Sequence, residues 1–119
     1  MADQIDLTDR EPIAISRWER RLRLAIRPLL TDELIAEHRR DPRGSHSDGL
    51  KRVLNYFRRS GALTPYVIVC TQPFREWRVA RVTGVRGQRP VFVDQHVLRT
   101  EAEAMHAVFL KRVDETMRD

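Results

Sequence analysis

The stretch Thr100–Arg112, TEAEAMHAVFLKR, sets the tightest limit on what this chain can fold into. Thr100 followed three residues later by Glu103 is a capping box, in which hydroxyl and carboxylate each satisfy an orphan N–H at a helix start. At helical spacing Ala102, Met105, Phe109, Val113 and Met117 form one stripe, with Leu110 at its edge, suited to packing on a core. Ala104, Ala107 and Val108 form a second strip on the other side. A helix apolar over that much of its circumference must be covered twice, by its own chain or by a partner. In 119 residues few elements are available to do both.

The preceding residues show two kinds of period. From Pro12, a favoured first helical residue, Ile15, Trp18, Leu22, Ala25, Ile26 and Leu29 recur at helical intervals with arginines between them. That predicts an amphipathic helix with a basic outer face, which Pro28 ends or kinks. Thr31 caps a short second helix reaching about Arg40, with Asp32 and Glu33 in the first turn, where the helix dipole favours negative charge. After the turn formers of Asp41–Ser47, Ser47 caps a third helix whose Leu50, Val53, Leu54 and Phe57 share one face, and Gly61 offers a stop.

Beyond Gly61 the period shortens. Tyr66–Thr71 is a β-branched, nearly continuous apolar run between Pro65 and Pro73, which predicts a strand covered on both faces. Trp77–Thr83 alternates imperfectly, as a bulge or two-sided burial would require. A long turn over Gly84–Pro90 leads to a short third strand, Val91–Asp94. The order predicts an α+β fold: N-terminal helices, a three-stranded antiparallel meander, and a capped C-terminal helix packed on it. Residues 1–11 are expected to form a loose arm and 12–119 a single domain.

Charge narrows the function less than the pattern narrows the fold. The net +5 arises from 22 Lys and Arg against 17 Asp and Glu, a balance that suits nucleic acid. The signs are interspersed, however, and arginine-rich chains also make many inter-subunit ion pairs. Cys70 is the only cysteine, so no internal disulfide forms and a reducing, cytoplasmic setting is expected. No apolar run is long enough to span a bilayer, and the acidic, polar N-terminus is unlike a signal peptide.

No glycine-rich phosphate loop, CxxC pair, HExxH or GxSxG motif is present. Glu103 and His106 have the Glu-x-x-His spacing of di-iron helices, and a small metal-dependent enzyme built on them is one reading. Only one copy exists, and Glu103 already has a capping use, so His106 is expected as a hydrogen-bonded core or interface residue. Cys70, in the most apolar strand, is expected to be buried and inert. His38, His46 and His96, in polar or helix-end contexts, are expected to be solvated. Tyr66, Phe74 and Trp77 with Arg75, Arg78, Arg81, Arg86 and Arg89 make a basic, aromatic hairpin that could stack single-stranded nucleic acid. Without a recognised nucleic-acid motif, a core tryptophan with solvated or partner-paired arginines is the favoured alternative.

Five groups of residues then resemble one family. They are Glu37-His38; Asp41-Pro42-x-Gly44; Leu50-x-Arg52-Val53-x-Asn55-Tyr56-Phe57-Arg58; Tyr66 with Arg78-Val79-Ala80; and the closing helix Thr100-Glu101-x-Glu103-Ala104-Met105-His106-Ala107-Val108-Phe109-Leu110-Lys111-Arg112. In colinear order from about residue 31 to the C-terminus, the chain resembles the small (alpha) subunit of N,N-dimethylformamidase. The resemblance implies a non-catalytic chain that binds a much larger subunit in a hetero-oligomeric amidohydrolase. Such an enzyme converts N,N-dimethylformamide to dimethylamine and formate. The iron and catalytic groups are then expected on the large subunit, ligated by tyrosine and glutamate there, with no cofactor on this chain. The over-apolar helix and the many arginines agree with an obligate subunit. Ala104, Ala107 and Val108 are the expected buried subunit contacts, with Tyr56, Arg58, Trp77 and Arg78 as packing or ion-pair anchors. The competing reading is a stand-alone basic module for single-stranded nucleic acid or an acidic protein.

Overall fold

The computed structural model describes residues 17–61 and 63–118. The arm expected over residues 1–11 and the helix start at Pro12 lie outside the described residues. The described chain is α+β, with four helices and a three-stranded antiparallel sheet. Helix α1 covers residues 17–26 and tightens into a 3₁₀ turn at Arg27–Leu29, where Pro28 removes a donor. Helix α2 is Asp32–Arg40, α3 is Asp48–Arg59 and α4 is Glu101–Met117.

Each cap read from the sequence is formed. The Thr31 hydroxyl accepts from the Leu34 N–H at 3.2 Å and the Ser47 hydroxyl from the Leu50 N–H at 3.3 Å. The Thr100 hydroxyl accepts from the Glu103 N–H at 3.1 Å. The Glu103 carboxylate reaches one residue further back than a capping box requires, accepting from the Arg99 N–H at 3.1 Å.

Three helices and one side of α4 enclose the main core of Ile26, Leu34, Leu50, Val53, Tyr56, Phe57, Leu63 and Phe109. On its other side α4 packs on the first two strands. The closing helix is therefore covered twice by its own chain, and this redistributes the two strips expected from spacing. Ala104 and Val108 are buried, while Ala102, Met105 and Val113 are half-buried and Met117 is exposed. A helix clamped between two layers gives each a narrow sub-stripe, so one broad apolar face is a poor guide to its burial.

The strands are β1 (Tyr66–Gln72), β2 (Glu76–Arg81) and β3 (Val91–Phe92), in that spatial order. Val67 pairs with Ala80 and Ala80 with Phe92, and the register slips between Cys70 and Gln72. Central β2 explains the imperfect alternation, since both Val79 and Ala80 are buried. Two expectations fail at β1. Among the described residues it pairs with β2 alone and is half-buried only as far as Val69, so it is an edge strand and not one covered on both faces. Cys70 is exposed, because it lies where β1 runs past its cover into the bulge.

Long-range polar contacts tie the end of α4 to the turn after α1 and to the entry of the sheet. Arg27 donates from Nε to the Thr116 carbonyl at 2.9 Å and from Nη2 to the Arg118 carbonyl at 2.7 Å. A cation thus satisfies orphan carbonyls at the C-terminus of α4, where the helix dipole favours it. Glu115 accepts from both the N–H and the hydroxyl of Thr64, at 2.9 and 3.0 Å, which anchors the entry to β1.

Candidate functional site

Three histidines and an arginine cluster where α2, the loop after it and α4 meet. His38 lies one helical turn beyond Leu34 on the buried face of α2, and His106 projects from α4 toward it. Their Nδ1 atoms are 2.8 Å apart, and both rings are buried, at 3% and 8% exposure. Phe109, one turn before Val113 on α4, stacks on His38 at 3.9 Å and 10°, and Phe57 meets Phe109 edge-on at 5.6 Å. His46 lies 6.2 Å from His38 in a stacked arrangement.

The hydrogen bonds fix both tautomers. The guanidinium of Arg39 can only donate, and its Nε lies 3.3 Å from His106 Nε2. His106 therefore carries its proton on Nδ1 and donates to His38 Nδ1, which leaves the His38 proton on Nε2. Neither ring can gain a second proton without setting two N–H groups against each other. Burial depresses the His38 pKa to about 4, with the neighbouring His106 and His46 adding to the effect. Burial, then the Arg39 charge, lowers that of His106. Both imidazoles are neutral near pH 7.

The turn leading into α3 braces this cluster. Glu37 accepts from the Ser47 N–H and hydroxyl, both at 2.7 Å, and the two bonds hold its carboxyl below the usual range. Gly44 closes the Asp41-Pro42-Arg43-Gly44 turn, and a Cβ there would run into the Asp41 carboxylate that accepts from the Arg43 N–H.

His106 and Arg39 also border a cleft of about 610 Å³ between α4 and the edge of the sheet. Its walls are largely apolar, with Val79, Leu98, Ala102, Ala107 and Leu110, and Asp94 and Lys111 pair across it at 3.3 Å. Burial alone would raise the Asp94 carboxyl, but the His96 N–H at 2.9 Å and the Lys111 ammonium outweigh it and hold the pKa low. What the cleft offers a small polar guest is a guanidinium, an ammonium and carboxylates. The ring nitrogens of His106 are spent on His38 and Arg39, and the exposed His96 is the second imidazole on the cleft wall.

Glu103 and His106 do not converge as Glu-x-x-His spacing would allow. The carboxylate caps Arg99 and the imidazole is engaged at both nitrogens. Among the described residues no three His, Cys, Asp or Glu side chains form a metal-capable group. The expectation of solvated histidines holds for exposed His96 and fails for buried His38 and half-buried His46. The signal for His38 was present in its four-residue spacing from Leu34.

The seven residues expected at a subunit interface fall in three places. Ala104 and Val108 are covered by this chain's own sheet and helices, while Ala107 is half-buried on the cleft wall. Trp77 exchanges main-chain hydrogen bonds with Leu98, both at 2.8 Å. Its neighbour Arg78 lies 3.7 Å over the Phe92 ring and donates to the Asp94 carbonyl at 2.6 Å. Tyr56 is buried on the side of α3 that meets α1, and Arg58 is exposed on the same helix. Among the described residues no helix is long and apolar enough to cross a membrane.

Comparison with known proteins places this architecture. The chain is 43% identical over 88 residues to the N,N-dimethylformamidase alpha subunit of Paracoccus aminophilus, covering 70% of this chain and 60% of that one. It is 39% identical over 88 residues to the protein of the same name from an Alcaligenes species, covering 70% and 64%. The aligned part thus spans rather less than two thirds of these relatives. The family described as N,N-dimethylformamidase alpha subunit matches residues 13–119, nearly the whole sequence including every described element, and the chain belongs to that family.

Proposed function

We propose that this chain is the non-catalytic small subunit of a heteromeric amidohydrolase that cleaves N,N-dimethylformamide or a related small amide to an amine and a carboxylate. Its partner is a larger catalytic subunit that holds iron, and its own contribution is the assembly and stability of that subunit. The observation that carries the reading is the family match over residues 13–119, to proteins named as an alpha subunit. The histidine pair supports the non-catalytic part, because its basic nitrogens are used in holding α2 to α4. A cytoplasmic location fits an exposed, lone Cys70, which stays reduced there.

Affinity capture of the tagged chain from its source cells, at moderate and high salt, tests the assembly. Retention at high salt of one large iron-containing protein with amide-hydrolysing activity is expected. Retention of salt-labile nucleic acid instead would favour the basic binding module. His38→Gln and His106→Gln then test the non-catalytic role. Each is expected to lower thermal stability and leave kcat of the assembled enzyme close to wild type. A loss of about a hundredfold or more, the size of a missing general acid or base, would assign the pair to the reaction.

A further inference from the structure

A second cleft, of about 310 Å³, lies between α1 and α3 on the far side of the helical core from the sheet. Its α1 wall is apolar, with Leu22, Ala25, Ile26 and Trp18, a residue 59% exposed. Its α3 wall carries Tyr56, Arg52 and Arg59. Tyr56 is only 7% exposed, and its hydroxyl is buried with no hydrogen-bond partner among the described residues. A phenol O–H buried in that way costs more than an ordinary surface hydroxyl, and a group that pairs with it recovers the loss. Arg52 and Arg59 are exposed and make no ion pair among the described residues. The one acidic side chain on the wall, Glu19, accepts from the Ser60 hydroxyl at 2.7 Å.

We infer that this cleft is the docking site for a segment of the partner subunit bearing a carboxylate beside an apolar side chain. The inference rests on the subunit reading above and says which face is used. Charge complementarity selects the carboxylate, since two guanidiniums flank the entrance and the only acid is turned to Ser60. The apolar α1 wall selects the neighbouring side chain. Tryptophan, tyrosine and arginine grouped around one cleft are also the residue types that dominate binding energy at protein interfaces. The exposed Trp18, Arg52 and Arg59 side chains can swing aside on docking, and the carboxylate then accepts from the Tyr56 hydroxyl. The Tyr56 hydroxyl, without a partner among the described residues of the single chain, thus acquires one in the complex.

The test uses the purified large subunit recovered with the wild-type chain, and titration of variants against it. Arg52→Glu/Arg59→Glu is expected to weaken binding by about a hundredfold, through loss of two charge-assisted contacts. Arg75→Glu/Arg86→Glu makes the same change of charge in exposed loops of the sheet and is expected to bind like wild type. Tyr56→Phe separates folding from docking. Removal of an unpaired hydroxyl leaves the free chain as stable as before or slightly more so, while binding falls by about tenfold. Wild-type affinity in both α3 variants, with the wild-type chain still bound to its partner, would overturn the docking site and leave the subunit reading standing. Failure of the wild-type chain to bind any large subunit would overturn both. Loss of single-stranded oligonucleotide binding in Arg52→Glu/Arg59→Glu, with the large subunit still bound, would assign the cleft to nucleic acid and overturn it equally.

Discussion

At the scale of single residues the histidine pair carries the clearest consequence. Both folded-state pKa values lie below the ordinary histidine value, so between about pH 6.5 and about pH 4 the unfolded chain binds more protons than the folded one. The pair's contribution is therefore complete above pH 6.5 and is lost as pH falls toward 4. Glu37 and Asp94, whose pKa values are also lowered, keep their contributions until the pH drops through the carboxylate range. Urea midpoints should hold from pH 7.5 to about pH 6.5 and fall from there to pH 5, and a flat profile over the whole range would mean that the rings are not held neutral. Phe109 offers a second check, because its ring touches both His38 and Phe57. Phe109→Ala is expected to cost about 3–5 kcal/mol in denaturant unfolding. The burial of His106 was legible in its spacing with Phe109 and Val113. His38 shares a face with Leu34 four residues earlier, but a lone histidine near a basic helix end resembles a solvated one until His106 on the helix opposite supplies its donor.

At the scale of elements the local signals were strong wherever they depended on the chain's own neighbours. Thr31, Ser47 and Thr100 each mark a helix start, since a cap is a contact over three residues. The order of helices, meander and helix was readable for the same reason. The burial of β1 was not, because an apolar β-branched run looks alike in an edge strand and in a covered one, and only the position of β2 and α4 decides. The Asp41-Pro42-x-Gly44 motif acquires a physical reason here, as Gly44 leaves room for the Asp41 carboxylate that holds the turn beneath His38 and His46. Gly44→Ala pushes that carboxylate away from the Arg43 N–H and is expected to cost about 1 kcal/mol in thermal unfolding, the scale of one hydrogen bond. Arg27→Ala removes two carbonyl contacts at the end of α4 and should cost about 2 kcal/mol. Its effect should appear as faster amide exchange over Thr116 and Arg118, and unchanged exchange there would show that the arginine is dispensable to that helix end.

At the scale of the molecule, the closing helix shows how the chain distributes its apolar surface between the core and the cleft. Ala104 and Ala107 belong to one strip in sequence, yet Ala104 has no exposed surface and Ala107 stands half-buried on the wall of the cleft beside the sheet. An aspartate at position 104 must lose its hydration between two packed layers. The cost of a buried, unpaired charge is about 3–5 kcal/mol or more, a large part of the stability of a domain this size. An aspartate at 107 can turn into the cleft, within the field of Lys111 and Arg39, and remain hydrated. Ala104→Asp is accordingly expected to unfold the isolated chain at 37 °C, whereas Ala107→Asp keeps native circular dichroism and most of its thermal stability. Equal unfolding by both would mean that the cleft closes in solution. Tolerance of both would move the face of α4 that carries Ala104 out of the core and return it to the surface available to a partner.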